Sequence, residues 1–256
     1  MIDIHTYILP NIDSGPKEVQ GFLNMARSLV KCGVTSVVAT PVFDCMDSTF
    51  SRHELFLYAS AANDWLDDSL IPLRVLPGQL IPVSSHLLQH YKEKQLLTLN
   101  HTDKYLLLSL PNEDVSPYLE QVLYDLQLQG IVPILQSPEC YPAFRDDPEK
   151  LYDLVKQGVI TQLNAGSILG LNGKKERKAA FTFMKHRLAH VIASGANGKN
   201  YWDYSLSKAY DVISDEYGTS RLYTFMENAE AIVDGRAVRR EEPEAFRRMR
   251  LFKLWA

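Results

Sequence analysis

The sequence predicts one α/β domain in which parallel strands alternate with helices, most simply a (β/α) barrel of seven strands. Three observations carry this. Short apolar or β-branched runs recur between longer stretches of helical spacing. Runs such as Ile131-Val132-Pro133-Ile134-Leu135 are apolar at nearly every position, as strands covered on both faces are. And 256 residues is the size of one large domain, with no Gly/Ser-rich linker, low-complexity stretch or repeat to divide it. Periodicity does not show closure, so an open doubly wound sheet is the alternative.

Strands are predicted at residues 2–4, 36–39, 73–76, 105–109, 132–135, 160–164 and 190–194. Between the first two, Pro16 suits the first turn of a helix, where its missing N–H does no harm. Phe22, Met25, Ala26, Leu29 and Val30 then recur at helical spacing, and Gly33 stands where a left-handed cap would end the helix. Tyr118, Val122, Leu123, Leu126 and Leu128 mark a second helix closed by Gly130. Leu151, Leu154 and Val155 mark a third closed by Gly158.

Composition narrows the class. With 46% hydrophobic and 23% charged residues the chain reads as soluble and globular. No apolar run approaches the ~20 residues of a membrane span, and no basic-then-apolar leader precedes the first strand. Cys32, Cys45 and Cys140 are scattered, which suits a reduced cytoplasmic protein better than a disulfide framework. The net charge of −4 hides an asymmetry: residues 236–256 hold seven basic and three acidic residues, so the remaining body carries −8. An acidic body argues against nucleic acid as a partner, because that binding rests on phosphate neutralisation.

In barrels of this kind chemistry sits just past the C-terminal ends of strands. Those positions read His5 to Tyr7, Thr40 to Phe43, Gly78 to Leu80, Leu110 to Asn112, Gln136 to Cys140, Ala165 to Ser167 and Gly195 to Asn197.

Seven stretches in order give the chain a family likeness. They are Met1-Ile2-Asp3-Ile4-His5, Ile8-Leu9-Pro10, Val37-Val38-Ala39-Thr40-Pro41, Val75-Leu76-Pro77-Gly78-Gln79, Leu96-Leu97-Thr98-Leu99-Asn100, Tyr124-Asp125-Leu126-Gln127-Leu128-Gln129-Gly130 and Glu227-Asn228-Ala229-Glu230-Ala231. Through them the chain resembles the bacterial PHP-type protein tyrosine phosphatases, manganese-dependent enzymes of capsular and exopolysaccharide synthesis. The likeness runs from Met1 to about Gly235. It implies a PHP-type distorted (β/α)7 barrel over residues 1–235, followed by a basic amphipathic tail over 236–256.

The resemblance also implies where metal ligands would stand, and there the chain departs from it. The family's first strand ends His-x-His; here His5 remains and Tyr7 takes the second place. An Asp-Asp-Gly becomes Asp13-Ser14-Gly15. Thr-Pro-His-His becomes Thr40-Pro41-Val42-Phe43, and Gly-Gln-Glu becomes Gly78-Gln79-Leu80. His-Pro-Glu-Arg becomes Ser137-Pro138-Glu139-Cys140, and Ser-Asp-Ala-His becomes Ser194-Gly195-Ala196-Asn197. Divalent ions need hard oxygens and imidazoles to coordinate and balance them. Valine, phenylalanine and leucine surround the site instead with groups that cannot solvate a cation.

The sequence expectation is therefore a catalytically inactive relative that acts by binding, without a cofactor, a lone metal at His5 and Asp13 being disfavoured. By resemblance its ligand would be a phosphotyrosine peptide or the tyrosine-rich tail of a bacterial kinase. Two alternatives stand beside it: a manganese-dependent tyrosine phosphatase with a rebuilt or weakened metal site, and an oligomeric scaffold of the polysaccharide export machinery.

Other chemistry-bearing residues give weaker signals. His86/His90 and His186/His190 have the i, i+4 spacing of a zinc pair, but the first lacks the glutamate of HExxH and the second straddles a strand start. Cys45 to Arg52 and Cys140 to Arg145 miss the Cys-x5-Arg spacing of cysteine phosphatases. The basic run Gly173-Lys174-Lys175-Glu176-Arg177-Lys178 reads as a solvated helix face, a phosphate contact being the sharper reading. In the tail, Arg247, Arg248, Arg250, Phe252, Lys253 and Trp255 mix basic and bulky apolar side chains, which suits an anionic membrane surface or a partner.

Overall fold

A computed structural model describes residues 1–44, 51–110, 118–199 and 206–246. The first part of the chain forms β1 (Ile2–Thr6), α1 (Val19–Lys31), β2 (Ser36–Ala39), α2 (Arg52–Asp68) and β3 (Arg74–Pro77). Next come β4 (Leu80–Pro82), α3 (Leu87–Lys92), β5 (Tyr105–Ser109), α4 (Leu119–Leu128) and β6 (Val132–Gln136). Two short helices, α5 (Pro142–Asp146) and α6 (Pro148–Lys156), lead to β7 (Ile160–Asn164), α7 (Ala165–Leu169) and α8 (Lys174–Lys185). The last elements are β8 (Val191–Ala193), α9 (Leu206–Tyr217) and α10 (Thr219–Val233).

All the strand pairings are parallel, in two sheets ordered β1-β2-β3 and β4-β5-β6-β7-β8. Single bridges join the sheets at both seams, Thr6 to Ala196 and Val42 to Leu80. Ile4, Val38, Leu80, Leu107, Ile134, Ile160 and Val191 belong to one buried cluster drawn from both sheets. The eight strands thus share an inner core. A second cluster packs α1 and α2 on the smaller sheet, and a third packs helices on the larger one.

The α/β class, the parallel strands and the single domain agree with the sequence expectation. The strand count does not, because β4 was not foreseen. It has three residues and ends in proline, too short to leave a periodic trace. It exists because the chain kinks after β3 at Gly78, where a Cβ would lie 2.5 Å from Val38 Cγ1, and resumes in the other sheet. Pro16 also lies ahead of α1 rather than in its first turn, its carbonyl accepting from Asn11 N at 2.8 Å. Gly33, at φ +80°, follows the helix end as expected.

Candidate functional site at the strand ends

On β1 two buried side chains meet residues just past the ends of β2 and β8. Asp3 Oδ1 accepts from His5 N at 3.3 Å and Ser194 N at 3.1 Å, while its Oδ2 has no partner among the described residues. Burial pushes its carboxyl up to about 6, with the bonds to Ser194 and His5 pulling the other way. His5 is buried as well, and its Nδ1 stands 2.6 Å from Thr40 Oγ1. The Thr40 hydroxyl donates to Thr6 O at 3.2 Å, so it accepts from His5, and the imidazole proton is assigned to Nδ1. Nε2 then carries the lone pair. Burial lowers the His5 pKa to about 4, so the ring is neutral at pH 7.

Gly195 sits directly against that ring. It adopts φ +61°, and a Cβ there would lie 2.8 Å from Asn164 Nδ2 and 3.8 Å from His5 Nε2. A side chain at this position is strained and crowded, whatever its chemistry. Tyr7 packs edge-on against His5 with ring centroids 5.1 Å apart, and burial raises its phenol to about 12.

Asp13 binds the end of β2: Val42 N donates to its Oδ2 at 2.6 Å, from a left-handed backbone at φ +47°. Burial raises its pKa against that bond. Val42 and Phe43 are half-buried and Leu80 is buried, with Phe43 N donating to Leu80 O at 2.8 Å. Phe43 also meets the His90 ring at 5.2 Å. These three apolar side chains occupy the seam between the sheets.

Past β6 the chain turns at Ser137, which adopts a left-handed φ of +46° and donates its N–H to Gln162 O at 2.7 Å. Glu139 is fully buried; its Oε1 accepts from Asn164 N at 2.8 Å and its Oε2 has no partner among the described residues. Burial raises it to about 7. The Cys140 thiol stands 3.7 Å from Ser167 Oγ, and burial, reinforced by Glu139, pushes it to about 12. It stays a thiol at neutral pH and is no nucleophile there. Arg145 binds the Cys140 carbonyl at 2.6 Å and the Glu176 carboxylate at 3.1 Å.

The structure thus brings His5, Tyr7 and Gly195 together, and Asp13 to Val42. Asn197 is half-buried in the same loop as Gly195. The sequence expectation placed both Asp3 and Glu139 only as parts of motifs. Both are carboxylates within or beside apolar strand sequence, and that was the available signal.

The histidine pairs do not converge as zinc sites. His86 precedes α3 while His90 Nδ1 meets Gln95 Oε1 at 2.5 Å. His186 stacks on Phe246 at 3.9 Å, and His190 Nδ1 accepts from Thr161 N at 3.1 Å. Among the described residues no group of three or more His, Cys, Asp or Glu could hold an ion. No helix among them is long and apolar enough to cross a membrane.

Cys45 lies outside the described residues, as do Arg247, Arg248, Arg250, Phe252, Lys253 and Trp255 of the tail. Residues 236–246 run across the body, where Arg239 exchanges two bonds with Asn228 and Arg187 pairs with Glu244 at 2.9 Å.

A family profile described as capsular polysaccharide synthesis, CpsB/CapC, matches residues 1–234. Tyrosine-protein phosphatase YwqE of Bacillus subtilis (strain 168) is 35% identical over 256 residues, covering 98% of this chain and 99% of that one. Putative tyrosine-protein phosphatase CapC of Staphylococcus aureus is 26% identical, covering 95% of each. Among solved structures, one described as YwqE from Bacillus subtilis and CpsB from Streptococcus pneumoniae, unique metal-dependent tyrosine phosphatases, superposes with a TM-score of 0.92. It is 33% identical and covers 97% of this chain and 100% of that one.

Two sequence expectations are overturned here. The inactive, binding-only reading gives way because relatives matched end to end are named as tyrosine-protein phosphatases. The expectation of no cofactor gives way because the solved neighbour is described as metal-dependent. Both expectations gave the side chains at the strand ends more weight than the likeness along the whole chain. The chain belongs to the CpsB/CapC family of capsular polysaccharide synthesis.

Proposed function

We propose that this protein hydrolyses phosphotyrosine in a protein substrate of capsular or exopolysaccharide synthesis, with a metal site weaker than that of its relatives. The supporting observation is the end-to-end likeness to a structure described as a metal-dependent tyrosine phosphatase. A kinase bearing phosphotyrosine is the substrate class that this likeness favours.

The weakening is read from the donor set. Tyr7, Val42, Phe43, Leu80, Ser137 and Asn197 stand where the resemblance places imidazoles and a carboxylate. These residues do not fit a resident cluster of ions. What the chain's own residues do is narrower. Thr40 fixes the His5 ring, leaving neutral Nε2 as a lone pair that can accept a proton. Val42 and Leu80 pack together in the inner core along the seam.

The test is hydrolysis of a phosphotyrosine peptide by protein purified with manganese, with bound metal counted by mass spectrometry on the same sample. Turnover that a chelator abolishes, and that His5→Ala removes, is expected. A folded, manganese-supplied sample with no turnover overturns the proposal. Tyr7→His with Leu80→Glu is expected to raise both the metal count and the rate. Gly195 is not a useful position to restore, since any Cβ there meets Asn164.

A further inference from the structure

One helix breaks the acidic character of the body. On α8, Lys174, Lys175, Arg177, Lys178 and Lys185 are all exposed. Lys174, Lys175, Lys178 and Lys185 make no ion pair among the described residues, whereas the helix's one acid, Glu176, is taken by Arg145. Four ammonium groups on one helix without an ion pair among the described residues repel one another.

They border a concavity. Lys174, Arg177, Lys178 and Lys185 line a cleft of about 620 Å³ between α8 and the end of α9, with Glu216 as its one acid. Its floor is aromatic. Phe181 and Tyr217 stack with centroids 6.2 Å apart at 25°, and the Arg177 guanidinium lies 5.2 Å from the Phe181 ring. A second cleft of about 350 Å³ flanks the same helix and adds Lys175 and Arg145, with Asp146 as its acid.

The groove is tied to the strand-end site. Arg145 bridges the Cys140 carbonyl and Glu176 in the first turn of α8, and Arg177 Nε donates to Ile168 O in α7. From there twelve residues of helix run on for about 18 Å.

We propose that this groove docks an acidic stretch of polypeptide flanking the phosphotyrosine of the protein substrate. The substrate assignment rests on the phosphatase reading above; the groove itself does not. Charge complementarity selects an acidic partner, and an aromatic floor that is half-buried and stacked on itself selects a peptide over a membrane. A lipid surface is engaged by apolar side chains that protrude, whereas an extended chain lays side chains into a cleft. Lysines one turn apart match alternate carboxylates of an extended strand, which are about 7 Å apart.

The experiment uses the full chain and three fluorescent peptides: phosphotyrosine with acidic flanks, phosphotyrosine with Ser/Gly flanks, and the acidic peptide without phosphate. Fluorescence anisotropy gives Kd, and hydrolysis of the two phosphopeptides gives KM. The acidic flanks are expected to tighten binding about tenfold at low salt, an advantage that fades as salt rises. That advantage disappears in Lys178→Glu with Lys185→Glu but persists in Lys17→Glu with Lys31→Glu, which makes the same charge change elsewhere. Equal affinity for acidic and neutral flanks overturns the proposal. So does an equal loss in both double variants, or binding to phosphatidylglycerol vesicles with none to the peptides. Because the unphosphorylated peptide reports on the groove without turnover, a preference that survives in a sample with no hydrolysis would sink the phosphatase reading and leave the groove standing.

Discussion

Asp3 on β1 and Glu139 past β6 meet the same problem with different means. Each carboxyl is fully buried, and each has one oxygen bonded and one without a partner among the described residues. Asp3 receives two backbone N–H groups, from His5 and Ser194. Glu139 receives one, from Asn164, and feels the nearby Glu176 as well. Burial raises Asp3 to about 6 and Glu139 to about 7. Desolvation is the largest cause in both, and the hydrogen bonds to each carboxylate recover part of it. The first site joins β1 to β8 through charge-tolerant backbone. The second holds a group that prefers to be neutral.

The largest effect separates them by truncation. At pH 5 both side chains are protonated in the folded state. Asp3→Ala then strands two buried amides and is expected to cost about 3–5 kcal/mol. Glu139→Ala strands one, for about 1–3 kcal/mol. Urea denaturation at pH 5 measures both. Equal costs, or a reversed order, would mean that donor count does not set the difference.

The amide replacements should reverse that ranking. Both carboxyls have folded pKa values raised above their unfolded ones. The stability they contribute is therefore fully present below the unfolded pKa and is lost as pH rises through the folded one. Glu139 loses it up to about pH 7 and Asp3 only up to about pH 6. Going from pH 5 to pH 8, Glu139→Gln is expected to gain about 2–3 kcal/mol over the wild type and Asp3→Asn about 1–2. Unfolding free energies at the two pH values decide it. A larger gain for Asp3→Asn would contradict the assignment.

His5 and His190 run the other way. Burial lowers them to about 4 and about 3, so the stability they hold is present above about pH 6.5 and lost as pH falls. Between about pH 4.5 and 6 these two histidines and the two acids oppose one another. The wild-type contribution of the four is expected to be nearly flat there. Asp3→Asn combined with Glu139→Gln should unmask the histidines as a stability that climbs steadily with pH over that window. A slope unchanged from wild type would show that the histidines are not the opposing groups.

Much of this framework was legible in the residues. Strands at 36–39, 105–109 and 160–164 coincide with β2, β5 and β7, because apolar runs bounded by turn residues leave little choice of boundary. The break into two sheets was not legible. It depends on Gly78 passing close to Val38, a contact between residues forty apart in sequence. At the site, His5 and Asp13 could be picked out by type. That Asp13 binds Val42 N, and that Thr40 fixes the His5 tautomer, follows only from how β1 and β2 lie side by side. Gly195 shows the sharper limit. In sequence it is a missing ligand, whereas in space it is a left-handed position where a Cβ would press on the Asn164 amide. Setting the absences above the whole-chain likeness led to an inactive protein; the named relatives pointed elsewhere.

The smallest effect tests the Asp3 end alone. Thr40→Val keeps the shape of the side chain but removes the acceptor for His5 Nδ1–H and the donor to Thr6 O. Left without that acceptor in a buried site, the proton should move to Nε2, which faces Gly195, so the tautomer flips and the loss is held to about 1 kcal/mol. Nitrogen-15 correlation spectra of the labelled imidazole distinguish the two tautomers directly. The wild type is expected to show protonated Nδ1 and the variant protonated Nε2. Nothing past β6 should respond, because Glu139 and Cys140 share no hydrogen bond with Thr40. A variant that keeps its proton on Nδ1 would show that Thr40 does not hold the ring. The lone pair assigned to Nε2, and with it the role of His5 as proton acceptor, would then need another cause.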